Sequence, residues 1–506
     1  MSMRNLLIGS LLLAVSMVVL LRMTTAPEVE DKPRNALILY CAANMKNPVE
    51  EAARQYEQEY GVAVQLTYGG SGTLLSNLQV AGLGDLYLAA DASYIALARE
   101  KNLVAEVLPL AKQHPVIAVA KGNPKKIASL DDLLRSDVRV ALANPDAASI
   151  GKIAKRVLRE TNQWEPLEKA VQTRGVFKPT VMEVANDVKL GSVDAAIVYD
   201  STARQFPDLE AVELPLFKPR VEDVSLSILR FSKAPTAALR FARYLQAPEK
   251  GGAIFKKWGF ESVDGDAWAE RPELTLFSGA MLRPAIDDLI HAFEQREGVT
   301  ITTVYNGCGI LTSQMRAGAK TDAYFSCDLS YFESVKEKFD SGVIVSANDM
   351  VILVAKENPK NIRTIEDLVK PGMRVGLAHP VKSALGGLTQ KLLDAQGLYQ
   401  KLIDTGNWKV ESATGDYLVN QMRVGSLDAV LVYTSNAAFV REHLDVIKID
   451  VPSAHAVQPY GVAKDSKHRY LMERLLEAIR SDASKKRFEE LGFQWRADAL
   501  KEAPQP

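Results

Sequence analysis

The chain has 506 residues, 47% apolar and 24% charged, with a formal net charge of −1. That is the balance of a globular chain long enough for two to four domains. It excludes a many-helix membrane protein and gives no general electrostatic pull toward nucleic acid or acidic lipid. Three cysteines (Cys41, Cys308, Cys327) are too few for a disulfide scaffold. The six histidines are scattered, with no HExxH or CxxC spacing, so a zinc hydrolase is disfavoured and no metal site or cofactor is expected.

In chain order, Leu6 to Leu21 is a charge-free apolar run between Arg4 and Arg22. It is short for a membrane span but suits an export signal, cleaved or kept as an inner-membrane anchor. Residues 1–35 therefore read as signal or anchor with a tether, and the rest of the chain as lying in the periplasm or cell envelope. Cys41 is no lipid-attachment site, because Tyr40 stands where a small residue is needed.

From there the chain is one pattern written twice. Tyr68-Gly69-Gly70-Ser71-Gly72-Thr73-Leu74 recurs as Tyr305-Asn306-Gly307-Cys308-Gly309-Ile310-Leu311. Asp85 to Asp91 recurs as Asp322 to Asp328, Asn123-Pro124-Lys125 as Asn358-Pro359-Lys360, Asp194 to Tyr199 as Asp428 to Tyr433, and Gly259-Phe260 as Gly492-Phe493. The offset is 237 positions at Tyr68 and 233 at Phe260. Such slow drift means loop trimming within a duplicated domain. The first copy spans 36–260, a linker 261–272, the second copy 273–495 and a tail 496–506.

Within a copy, strands and helices alternate. Ala36–Tyr40, Val62–Leu66, Asp85–Ala89, Val116–Ala120, Val138–Leu142 and Ala195–Tyr199 read as strands. Helices are predicted from Pro48, with Asn47 as its cap, and over Thr73–Val80 and Ser93–Lys101. Phe241–Leu245 and Gly252–Trp258 lie on closing helices. This order predicts an α/β fold in which each copy has two lobes around a cleft, with parallel-rich sheets covered by helices.

The chemistry is expected where strands open into helices. Gly70-Ser71-Gly72-Thr73 combines close backbone approach with hydroxyl donors at a helix start, which suits an anion. Asn44 leaves the first strand, Ser149 and Ile150 start a later helix, and Tyr199 ends a strand. Four such points predict a cage of neutral donors for a small oxyanion, with Lys46, Lys152 and Arg156 read as solvated helix faces.

Tyr40-Cys41-Ala42-Ala43-Asn44, Tyr68 to Leu74, Asp85 to Asp91, Ala196-Ile197-Val198-Tyr199 and the closing Ile254 to Phe260 resemble the molybdate-binding proteins of bacterial ABC importers. The resemblance covers nearly all of the first copy and the second more weakly. It implies the type II periplasmic binding-protein fold, in tandem, closing over molybdate or tungstate for delivery to a membrane permease. Carried over residue by residue, it implies ligand contacts at Asn44, Ser71, Ser149 or Ile150, Val184 and Tyr199. In the second copy Met281 stands for Asn44, Cys308 for Ser71, Ile310 for Thr73 and Leu385 for Ile150, while Gly309 and Tyr433 persist. A thioether and a thiol are poor donors to an oxyanion, so the second copy binds the same anion through its backbone, something else, or nothing. Cys308 and Cys327 at two strand ends read most simply as separate buried thiols, with a disulfide or a soft-metal pair with His379 or Met281 as the alternatives. The competing functions are an envelope sensor or scaffold, and a cysteine-dependent enzyme built on Cys308. Against the enzyme, no His or carboxylate shares the Cys308 motif.

Overall fold

The computed structural model describes residues 36–451 and 453–500. The apolar segment 6–21 and the tether lie outside the described residues. No helix among the described residues is long and apolar enough to cross a membrane.

The first copy begins with strand Ala36–Ala42, flanked in parallel by Ala63–Gly69 and Leu86–Ala89. Strand Glu222–Leu229 pairs antiparallel with both Leu86–Ala89 and Val104–Gln113. The short strand Glu261–Ser262 closes the edge of this six-stranded lobe. The second lobe is a five-stranded sheet in the order Val176–Lys178, Val140–Ala143, Ala195–Tyr199, Pro115–Ala120, Leu209–Val212. Each lobe is thus parallel at its centre, with Glu222–Leu229 and Glu261–Ser262 reversed in the first and Pro115–Ala120 in the second, the α/β architecture expected. The central strands are buried on both faces by helices and read as apolar runs for that reason.

The recurring polar residues of the repeat hold turns. Asp85 accepts the Ile38 amide at 2.9 Å and the Ser232 hydroxyl at 2.6 Å. Asp322 repeats both bonds with Thr275 and Ser466 at 2.7 Å each. Asn123 and Asn358 accept the amides of Ile127 and Ile362, and Asp194 and Asp428 those of Arg139 and Arg374. Each sits where a strand starts or a loop reverses, and leaves no backbone donor unpaired there.

The second copy repeats the topology with one difference. In the first copy the strand between lobes breaks at His114, ahead of Pro115, which has no N–H to give a ladder. In the second copy Val343–Ala355 runs unbroken from one lobe into the other and merges both sheets into one of ten strands.

The start of the first long helix differs from expectation. The first long helix starts at Lys46, not Pro48, because a single 3-10 turn, Ala43–Met45, leads straight into it. Asn47 therefore caps nothing and donates to Gln205 instead, at 3.0 Å. The linker is tied down at two points. Asp266 accepts the amides of Tyr470 and Leu471 at 2.8 and 2.9 Å, capping helix Arg469–Ile479 of the second copy. Trp268 packs on Tyr60 and Tyr244 of the first copy and donates to the Tyr60 hydroxyl at 2.8 Å.

Candidate functional site

In the first copy three helix starts from two lobes converge on one small cavity. Helix Ser71–Ala81 comes from one lobe, and helices Ser149–Glu160 and Val181–Lys189 from the other. The 3-10 turn Ala43–Met45 adds a fourth wall. Ser71, Ser149, Ile150 and Val181 stand in first turns, where amides lack intrahelical acceptors and carry the positive end of the dipole. The cavity is small, about 10 Å³, far below the room a drug-sized ligand takes. Asn44, Gly70, Ser71, Ser149, Ile150, Thr180, Val181 and Tyr199 line it, and no lining residue is charged.

The hydroxyls are oriented by their partners. Ser71 Oγ accepts the Ala90 amide at 3.1 Å, which leaves the Ser71 proton to donate into the cavity. Tyr87 donates to the Ser71 carbonyl at 2.8 Å and fixes the loop from behind. Ser149 and Tyr199 pair hydroxyl to hydroxyl. One proton is used between them and the other is left over. Burial, then the nearby Asp91 carboxylate, pushes the Tyr199 phenol well above its ordinary value, so it stays a neutral donor.

Asn44 gives its Nδ2 to Gln113 Oε1 at 2.9 Å. Gln113 also receives Ser201 at 2.6 Å and donates to Ala90 O at 2.8 Å. This buried amide relay, like Thr180 and Val181, was missed from sequence. Gln113 sits at a strand end with no motif around it, and backbone donors carry no side-chain signature.

Other expected residues stand elsewhere. Val184 is fully buried inside its helix, with its amide bonded to Thr180 O at 3.4 Å; Val181, one turn earlier, reaches the cavity instead. Thr73 is exposed. The amides of Gly72 and Thr73 donate to Ala147 O of the opposite lobe, at 3.0 and 3.4 Å. The glycines serve this closure. A Cβ on Gly70 would overlap Ala147 O, and one on Gly72 would come within 2.8 Å of Asp146 O. Lys152 and Arg156 also cross the cleft, to Ser93 Oγ and Glu222, each at 3.1 Å, rather than facing only solvent.

The second copy is closed in the same way. Ile310 donates to Lys382 O at 3.3 Å, and a Cβ on Gly307 or Gly309 would overlap carbonyls of the opposite lobe. Its cleft chemistry differs. Met281 and Leu385 are buried, and Ala384 occupies the position of Ser149. Tyr433, 3% exposed, therefore has no hydroxyl partner among the described residues. Cys308 and Cys327 form a disulfide with Cα atoms 6.4 Å apart, not two separate thiols. Cys308 is thus no free nucleophile. Both ring nitrogens of His379 have other partners: its Nδ1 accepts the Val381 amide at 3.0 Å and its Nε2 lies 3.6 Å from Glu411. Among the described residues no group of three or more His, Cys, Asp or Glu side chains could hold a metal ion.

Two α/β lobes around a cleft, twice in one chain, are the architecture of a bacterial binding protein. The sequence profile of the bacterial extracellular solute-binding proteins matches residues 37–261 and again 274–494, and the chain belongs to that family. A binding protein of Haemophilus influenzae is 31% identical over 226 residues, 44% of this chain and 90% of its own. The molybdate-binding protein ModA of Mycobacterium bovis is 26% identical over 229 residues, 44% of this chain and 84% of its own. The periplasmic molybdate-binding protein of Azotobacter vinelandii superposes with a TM-score of 0.39 at 17% identity, over 44% of this chain and 98% of that one. Membership of the solute-binding family makes this chain a binding protein and not an enzyme.

Proposed function

We propose that the first copy captures a small tetrahedral oxyanion, molybdate or tungstate, outside the cytoplasm and presents it to an ABC-type permease. The observation that carries this reading is the cavity itself. It is small, free of charged side chains, and lined by the Ser71, Ser149 and Tyr199 hydroxyls and three helix starts. Such a cage meets an anion's charge with dipoles and N–H donors and selects by size. The ModA relative of Mycobacterium bovis supports the choice of ion. Asn44 takes a positioning part, through Gln113, and Thr180 and Val181 replace Val184 as second-lobe contacts.

Calorimetric titration with molybdate, tungstate, sulfate and phosphate tests this. Tight binding of the first two at one ion per chain is the expected result. No heat with any of the four, together with an unshifted melting temperature, would remove the oxyanion reading.

A further inference from the structure

The second copy carries a coordinated set of changes at one point. Ser71 becomes Cys308, Ala90 becomes Cys327, Ala89 becomes Ser326 and Ala42 becomes Gly279. In the first copy Ser71 and Ala90 are joined by the hydrogen bond described above. In the second the same two positions are joined by a disulfide. Gly279 makes room for it, since a Cβ there would overlap Cys327 Sγ. The first copy is an internal control. The same helix start and strand end hold together there without a covalent bond, so the fold does not need the crosslink.

The surroundings of the two sulfurs are unequal. Cys308 is the first residue of helix Cys308–Arg316, a position that favours a thiolate. Its Sγ accepts the Cys327 amide at 3.0 Å, and Ser326 Oγ lies 3.8 Å away. Cys327 has no such support and is the more exposed, at 5% against 0%. Both occupy positions whose counterparts, Ser71 and Ala90, line the cavity of the first copy. The third cysteine, Cys41, is buried, and burial pushes its thiol far up, so it does not compete.

We propose that Cys308–Cys327 is a redox-exchanging pair in the second cleft, reached by a low-molecular-weight thiol when that cleft opens. A thiolate attacks Cys327 Sγ, the Cys308–Cys327 bond breaks, and its electron pair leaves on Cys308 as the thiolate. A second thiol attacks the mixed disulfide at the incoming sulfur. It releases Cys327 as a thiol and carries away the oxidised, disulfide form of the small molecule. The two protein sulfurs gain two electrons and the two small thiols lose them. The second copy then exchanges electrons where the first holds an ion, and this proposal stands independently of the oxyanion reading.

The test uses the full chain in buffers of reduced and oxidised glutathione, quenched with acid, alkylated and mapped by peptide mass. The expected result is reversible opening of the disulfide in folded protein, with the glutathione adduct on Cys327 and Cys41 unlabelled. In Cys327→Ser, alkylation of the remaining Cys308 should reach half its limiting rate at least about one pH unit below an ordinary thiol. A disulfide that stays closed until the chain unfolds overturns the proposal. So does an adduct on Cys308, or a Cys308 that titrates in or above the ordinary thiol range. The glutathione measurement needs no variant, so misfolding of Cys327→Ser would not blunt the test.

Discussion

Arg243 of the first copy donates to Glu297 of the second twice, to its carbonyl at 2.7 Å and to its Oε2 at 3.2 Å. Arg474 holds the other side of the same carboxylate at 2.9 and 3.0 Å. Alongside, Arg296 grips Glu106 with two bonds of 2.8 Å. Glu297 is 2% exposed and Arg243 4%, so the two copies share an ionic joint between their first lobes that is buried at its centre and open to solvent at Arg296 and Glu106. Burial alone would raise the Glu297 carboxyl; Arg474, then Arg243 and Arg296, outweigh it and hold it below its ordinary value. Its contribution is present above the usual glutamate range and is lost as pH falls through the lowered value.

Replacing Glu297 with Gln leaves two guanidinium groups under-compensated, Arg243 buried and Arg474 half-buried. We expect a loss of about 3–5 kcal/mol, the scale for a broken buried pair. Calorimetric unfolding should show the two copies melting at separate temperatures where the parent melts as one. A single unshifted transition would mean that the joint contributes nothing.

Ser71→Ala removes the one hydroxyl whose proton is left to the cavity by an amide behind it. Anion affinity should fall by about 1.5–3 kcal/mol, the value of a hydrogen bond to a charged group. Titration calorimetry reads it, and unchanged affinity would move the site away from this loop.

Gly70→Ala tests closure separately from chemistry. The new methyl overlaps Ala147 O across the cleft, so the lobes cannot meet, while the helix start it caps is untouched. Affinity should fall at least about tenfold, or about 1.4 kcal/mol. Small-angle scattering with saturating anion should show a first copy that fails to compact.

The two tyrosines at equivalent positions should answer oppositely to loss of the hydroxyl. Tyr199→Phe breaks a pair with Ser149 and should cost about 1 kcal/mol of stability. Tyr433→Phe deletes a buried hydroxyl that has no partner among the described residues and should be neutral or stabilising. Paired denaturant titrations decide it, and an equal loss in both would mean that Tyr433 has a bound partner in solution.

Glu222 gives the first copy a pH dependence. Burial, then Asp91, raises its carboxyl to about 7, against the pull of Arg156 across the cleft. Because the folded value is the higher one, its contribution is full below the ordinary value of 4.5 and lost as pH rises toward about 7. Glu222→Gln removes the charge at equal shape. The variant should be more stable than the parent above pH 7, on the order of 1 kcal/mol once solvent screening is allowed for. The two should converge below pH 4.5, as read by thermal melting across the range.

The tandem architecture was legible because the repeat preserves turn-holding polar residues, Asp85 with Asp322 and Asn123 with Asn358, at a nearly constant offset. Ser71, Ser149, Ile150 and Tyr199 were legible as cavity residues because strand ends and helix starts can be read from apolar runs. What failed had physical reasons. Val184 lies one turn too deep, since a backbone donor leaves no trace of its own in side-chain pattern. Thr73 and Gly72 belong to closure, because sequence shows a missing Cβ but not which atom approaches. Lys152 and Arg156 looked like solvent-facing charges because their partners, Ser93 and Glu222, come from another lobe. The disulfide was one of three readings because only folding brings Cys308 and Cys327 face to face.

The uninterrupted strand Val343–Ala355 sets a tempo as well as a shape. Opening the first copy needs rotation about His114, a residue outside the strands whose two backbone bonds both go to Asp200, beside a proline that gives the ladder nothing. Opening the second must bend a strand paired antiparallel along both halves, with His455–Val462 on one side of the junction and Ala429–Tyr433 and Leu444–Lys448 on the other. The first cleft should therefore breathe many times for each excursion of the second. Amide exchange at residues 347–350 should lag far behind that at His114. One polypeptide would then hold a fast compartment that samples its surroundings and a slow one whose contents are kept back from them.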